Sequence, residues 1–188
     1  MKYKLLVGLC ALLFSFSIIS CDNKTLNTTV ATEAIADYME EMPIYESATF
    51  EVGEVKFRLS KEKELIEKYK NLEKEGYIDF SDEITKKKWL SKDSIWTVTI
   101  KLTDKAMPYV IEQKSNKLKV KTIDYRVNKD SGIQIEDKNK KSASASVKLL
   151  KEVTPFAFLK ADSSPHTEFI IRKFKLKYNE DTGWRVAK

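Results

Sequence analysis

Few side chains in this 188-residue chain could carry covalent or metal chemistry: two cysteines, Cys10 and Cys21, and one histidine, His166. A zinc site ordinarily takes four ligands drawn from Cys, His and carboxylates, so a lone histidine between Pro165 and Thr167, far from either cysteine, does not assemble one. No Gly-x-Ser-x-Gly, His-Glu-x-x-His or phosphate-cradling glycine stretch is present, so the nucleophile, metallopeptidase and nucleotide-loop readings lack their carriers. Acidic pairs such as Glu40-Glu41 and Asp79-Asp82 could serve acid–base chemistry in a cleft. In a chain that is 33% charged, they read as solvated surface. The sequence therefore predicts no catalytic residue, no metal and no cofactor.

The cysteines differ in setting. Cys10 lies within the mostly apolar run Leu5 to Ile19, which follows the basic start Met1-Lys2-Tyr3-Lys4 and ends at Ser20-Cys21 before polar Asp22-Asn23-Lys24. A basic segment, an apolar segment and a small residue before a cut form an export signal, and a run this short falls below the roughly 20 residues needed to cross a bilayer. Ile18-Ile19-Ser20-Cys21 resembles the lipobox of bacterial lipoproteins. The resemblance implies cleavage before Cys21, a thioether-linked diacylglycerol on its sulfur, and an acyl chain such as palmitate on the new amino group. Two or more chains give stable attachment where one is marginal. Residues 1–20 are then a signal peptide, Cys21 is the lipidation site, and the partner it implies is a lipid bilayer of the bacterial envelope, inner or outer left open.

With Cys10 removed and Cys21 acylated, no internal disulfide is possible, so stability must come from an apolar core. The chain from Cys21 onward suits one ordinary domain or two small ones, and 42% hydrophobic with 11% aromatic residues supplies the material. The formal charge is +6, and losing Lys2 and Lys4 leaves +4, carried mostly by lysine. Lysine-rich surfaces serve solubility before recognition. An exported protein meets little nucleic acid, so the expected partners are an envelope protein or an anionic polymer.

Residues 22–31, DNKTLNTTVA, are small and polar and read as an acylated tether of r.m.s. reach ~18 Å. Thr32 is placed to cap a helix with Ile35, Tyr38, Met39 and Met42 on one stripe, ended by Pro43. Between Ala48 and Leu59 the apolar residues alternate, with a slip of phase at Gly53-Glu54 that predicts a bulged strand. Ser60 is the expected cap of a helix over 61–75 with Gly76 at its C-terminal end, and Ile95 to Leu102 alternates as a half-buried strand. LIEKYKNLEKEGYI, residues 65–78, followed by a polar stretch and by Leu102-Thr103-Asp104-Lys105-Ala106, resembles the second half of a winged-helix domain. The resemblance makes residues 79–94 the wing, with Lys86, Lys87, Lys88 and Trp89 at its tip suited to polyanion contact, the alternative and more ordinary reading of such a charge run being a solvated loop. The strand pattern before Ser60 occupies the place of a first helix, so the resemblance concerns scaffold and not DNA reading.

After a link at 112–117 the pattern is strand throughout: Leu118–Val127, Ile133–Glu136, Ser142–Glu152, Glu168–Tyr178 and Trp184–Ala187, joined as hairpins. The close, TGWRVAK, resembles the end of small exported α+β domains such as cystatin-like folds, which implies a curved sheet. The exception is the connection 154–167, TPFAFLKADSSPHT, too long for a plain hairpin. Phe156 and Phe158 are expected either to cap the sheet core or, with His166, to touch a partner or ligand. The sequence thus predicts an α+β protein, with a small winged-helix-like part over 32–112 and an antiparallel β-sheet part over 118–188. It predicts a membrane-anchored envelope lipoprotein that is a non-catalytic binding or scaffolding module, the alternatives being a small-ligand carrier with a pocket under the 154–167 loop and, third, an envelope enzyme.

Overall fold

The computed structural model describes residues 25–87, 93–128, 132–136 and 138–187. Strands take 51% of it, and this overturns the expected α+β class of a winged-helix part followed by a sheet. Helix α1 (Thr28–Glu41) leads into β1 (Tyr45–Glu51) and β2 (Gly53–Arg58), and α2 (Lys63–Lys74) precedes the hairpin β3 (Ile78–Lys87) and β4 (Ser94–Leu102). Then come a 3-10 turn (Asp104–Tyr109), β5 (Val110–Lys114), β6 (Lys117–Val127), β7 (Gln134–Glu136), β8 (Ser142–Val153), β9 (Phe169–Asn179) and β10 (Gly183–Val186). The larger, curled antiparallel sheet runs β1-β6-β8-β9-β10, with β5 on β6 and β7 on β8; the smaller runs β2-β4-β3.

The tether expected over 22–31 is helix from Thr28. The Asn27 side chain accepts from the Val30 amide at 2.9 Å, and Leu26, 2% exposed, packs with Ala31 in the core. An amide cap with an apolar residue just before it starts the helix one turn earlier than Thr32 could. At the end of α2 the Gly76 amide donates to the Glu73 carbonyl and the Tyr77 amide to that of Leu72, both at 2.8 Å, with Gly76 at φ +75°. These paired bonds satisfy the last carbonyls and require the left-handed backbone that glycine adopts without strain.

The slip at Gly53 is not a bulge within one strand. β1 pairs with β6 and β2 pairs with β4, so the chain changes sheets there, with Gly53 at φ +79°. The unit β2-α2-β3-β4 explains the winged-helix resemblance and also its failure: the element before α2 is a strand of the smaller sheet, and the other long helix, α1, packs on the opposite core. The wing expected over 79–94 is strand as far as Lys87, paired with β4 and marked by a register shift between Ser81 and Ile84.

Two cores result, and they do not divide the chain at 112–118. One joins α1 to Ile123, Tyr125, Ala143, Ala145, Val147, Leu149, Phe174, Leu176 and Trp184 of the larger sheet. The other joins α2 and the smaller sheet to Phe50 of β1, Leu118 and Val120 of β6, and Phe156 of the long connection. Residues 112–117, expected as a link, form most of the β5–β6 hairpin, which turns at Ser115 with φ +53°.

Candidate functional site

The 154–167 connection is built in two halves. In the first, Thr154 is buried, donates its hydroxyl to the Lys121 carbonyl at 2.6 Å and accepts from the Phe156 amide at 3.2 Å. This turns Phe156 inward to zero exposure, where its ring meets Phe50 edge-on at 5.2 Å, with Tyr77 and Tyr109 at 6.4 and 6.1 Å. Phe158 is half-buried, edge-on to Tyr69 at 5.8 Å; Tyr69 in turn stacks on Phe50 at 5.2 Å and meets Phe57 at 5.0 Å. Burial pushes the Tyr69 hydroxyl up to about 12, helped by the Glu51 charge. Phe156 thus packs between the loop and the smaller sheet.

The second half is held by charge. The Lys151 side chain, 4% exposed, places its ammonium 2.9 Å from both oxygens of Asp162 and donates to the Ser164 carbonyl. Nearby, Glu46 of β1 accepts from the Tyr125 hydroxyl at 2.9 Å and from the Ser163 hydroxyl, with the Lys160 ammonium at 3.5 Å. Burial pushes the Glu46 carboxyl up, but the bonds from Ser163 and Tyr125 and the Lys160 charge outweigh it and hold the group below the usual range. Burial, then the bond to Glu46 and its charge, push the Tyr125 hydroxyl up to about 12. This is a dense convergence of titratable groups, yet its hydrogen bonds go to the chain's own groups. It fastens the loop over the sheet.

The face turned away from α1 is different. Along β8 and β9, Ala145, Val147, Leu149, Phe174 and Leu176 point to the core, which sends Leu150, Phe169 and Ile171 outward at 38%, 36% and 67% exposure. Leu150 pairs directly with Phe169, and Ile171 pairs with Lys148, whose ammonium lies 4.9 Å over the Phe169 ring. An Arg126–Glu152 ion pair at 2.8 Å borders the patch on the β6 side. The result is a small apolar surface with a polar rim.

Of the residues singled out from sequence, Phe156 and Phe158 enter the aromatic core, and His166 is exposed on the loop away from both. Lys86 and Lys87 are exposed at the end of β3, and Lys88, Trp89 and Cys21 lie outside the described residues. Glu40, Glu41, Asp79 and Asp82 are exposed; Glu40 and Glu41 line two different open clefts at α1. Sequence reading missed the Glu46 network, whose members lie 79 and 117 residues apart. It also passed over Ile171, though its outward phase opposite Phe174 and Leu176 was there to read.

Open clefts lie elsewhere. One of about 460 Å³ runs between the end of α1 and the end of β6, lined by Met39, Glu40, Pro43, Asp124, Tyr125 and Arg126. Among the described residues no group of three His, Cys, Asp or Glu side chains is placed to hold a metal ion, and no helix is long and apolar enough to cross a membrane. Compared with protein families, curated proteins and solved structures, the chain matches none.

Proposed function

We propose that this chain is a bacterial envelope lipoprotein, acylated at Cys21, whose β-rich body is a non-catalytic module that binds another envelope component. The observation that carries the binding reading is the Leu150–Phe169–Ile171 patch. Three large apolar side chains share one stretch of sheet with charged residues at its edge, and grouped exposed apolar area rimmed by polar groups is what an interaction surface offers. The Lys151–Asp162 and Glu46–Tyr125–Ser163 contacts fasten the 154–167 loop to the sheet, and the non-catalytic reading rests on that use of them. The lipid anchor rests on the order of residues from Met1 to Lys24. The anchor also fits the fold: Leu26 is core, so a bilayer-held Cys21 keeps the body close to the membrane.

The test of the anchor is the mass of the Cys21 peptide from the native protein, expected to start at Cys21 and to carry a diacylglycerol. An unmodified cysteine in a chain still beginning at Met1 refutes it. The test of the binding face is crosslinking in intact cells with wild type and with Ile171→Glu. A discrete crosslinked species present with wild type and lost with the variant, at equal protein level, supports the assignment. The same species with both proteins moves the binding face elsewhere.

A further inference from the structure

The larger sheet has two ends, and Leu26, five residues after Cys21 in sequence, lies at one of them. Leu26 is fixed in the core, and its carbonyl accepts from the Lys138 ammonium at 2.6 Å in the turn before β8. The five residues from Cys21 to Leu26 span at most about 18 Å fully extended. Around this end stand Lys138, Lys140 and Lys141 of the turn, all exposed, and Lys175 and Lys177 on the outward face of β9. Ser142 pairs with Lys177, and the Tyr178 amide donates to the Lys141 carbonyl at 2.9 Å, so turn and strand form one surface. The carboxylates nearby are Glu180, 3.9 Å from Lys141, Asp181 on the next turn, and Glu33 of α1, which lines a cleft with Thr182; Glu136 is held by Lys173 at 2.7 Å. With Lys173, Glu136 and Asp137 counted, the last outside the described residues but next to Lys138 in sequence, six lysines stand against five carboxylates, and this pole keeps a small positive excess.

From this pole β8 runs 12 residues, roughly 36 Å, to Val153 beside the aromatic core and the strapped loop. We infer that the lysine pole at Lys138, Lys140, Lys141, Lys175 and Lys177 binds the anionic headgroups of the membrane that holds Cys21, and that this contact stands the sheet away from the bilayer. The inference rests on the lipid-anchor reading for its geometry. The placement of the lysines selects a lipid surface as the occupant. The cations are gathered where the tether ends, within reach of the headgroups, and juxtamembrane lysines are drawn to anionic lipid over a Debye length of about 8 Å. The apolar patch of Leu150, Phe169 and Ile171 is then carried toward the far end, open to a partner.

The experiment uses the full-length protein, purified from its membrane and reconstituted in vesicles of phosphatidylcholine alone or with 30% phosphatidylglycerol. A membrane-impermeant amine reagent labels the lysines, and mass spectrometry reads each site. On anionic vesicles the labelling of Lys140, Lys141, Lys175 and Lys177 should fall roughly fivefold relative to neutral vesicles, recover in 0.5 M salt, and leave Lys86, Lys87 and Lys114 unchanged. Lys140→Glu with Lys141→Glu and Lys177→Glu should abolish the protection of Lys175. Equal labelling on both vesicles, uniform protection of every lysine, or protection that survives in the triple variant overturns the inference. Equal protection by soluble dextran sulfate on neutral vesicles also overturns it, assigning the pole to a polymer. The Cys21 peptide in the same digest reports acylation separately, so failure of the anchor and failure of the lysine contact are told apart.

Discussion

Two halves of one fourteen-residue connection are held by opposite means. Thr154 to Leu159 is pinned by rings that exclude water, whereas Lys160 to Thr167 is pinned by charges and hydroxyls at the rim of the sheet. Apolar burial carries no titrating charge and does not change with pH. Fastening by ion pairs depends on the charge states of Asp162, Glu46 and Lys151, and a buried pair broken on one side leaves the other charge stranded. The loop therefore has a permanent half and a conditional half, and the two can be taken apart by mutation.

Phe156→Ala should have the largest effect. A fully buried ring at the meeting of Phe50, Tyr77 and Tyr109 leaves a cavity, and core Phe→Ala changes typically cost 3–5 kcal/mol. Urea unfolding should show that loss equally at pH 5 and pH 8. A loss under 1 kcal/mol would mean that the ring is dispensable and the loop is held by its charges alone.

Asp162→Asn comes next and tests the conditional half. It leaves the Lys151 ammonium, 4% exposed, without its carboxylate, so the single variant should be less stable than Asp162→Asn combined with Lys151→Met. The Ser164 amide, first, and the Lys151 ammonium hold the Asp162 carboxyl below its ordinary value. A depressed folded-state pKa gives stability that is present above the unfolded value of about 3.9 and lost as pH falls through the folded one. The gap between wild type and Asp162→Asn should therefore close in acid below about pH 4. A gap that stays constant from pH 7 to pH 2 would show that Asp162 acts by shape and not by charge.

The alkaline side has the reverse sign. Tyr125 is raised to about 12, so the neutral phenol is favoured by folding, and its contribution is complete below the unfolded value of about 10 and lost as pH rises toward 12. Tyr125→Phe removes one high-pH step from the absorbance titration of phenolate and flattens the stability decline between pH 10 and 12. An unchanged titration would place the raised tyrosine elsewhere, Tyr69 being the other with such a value.

The permanent half was the legible one. Phe156 and Phe158 stand in an apolar cluster that any reading notices, and β6 to β10 announce themselves by alternation within a few residues of their observed bounds. The conditional half was not, because Glu46 becomes meaningful only when β1 is laid against β6 and the loop returns to it. β3 was hidden for another reason: as an edge strand paired only with β4, Ser81 to Lys87 can expose polar side chains on both faces and leave no period. α1 was read one turn late because Asn27-Thr28-Thr29 has a tether's composition, and only the burial of Leu26 shows that it is a cap. At Gly53 the phase slip was visible, but a bulge and a change of sheet look the same locally.

Phe158→Ala should fall between the two regimes in size. Its ring is half-buried and contributes one edge contact to Tyr69, a geometry worth about 0.5–1.5 kcal/mol beyond area burial. A loss of about 1–2 kcal/mol in urea, independent of pH, would place Phe158 with Phe156. A pH-dependent loss would instead show that the two halves of the loop fold as one unit.

The smallest effect on stability should come from the apolar patch, and there a small number is informative. Ile171 is 67% exposed and outside both cores, so a serine should change the unfolding free energy by no more than about 0.5 kcal/mol, the usual range for surface sites. Phe156 and Ile171 are both large apolar residues of the same C-terminal segment, and the fold treats them oppositely. One is enclosed by rings, while the other stands beside Lys148 on an outward face. If Ile171→Ser leaves the melting curve in place and lowers crosslinking in cells, exposure at this position serves binding. If it destabilises the protein by more than about 2 kcal/mol, a value typical of core truncation, then the outward face of β8 and β9 is covered by the protein's own chain or a second copy, and the patch is part of an interior.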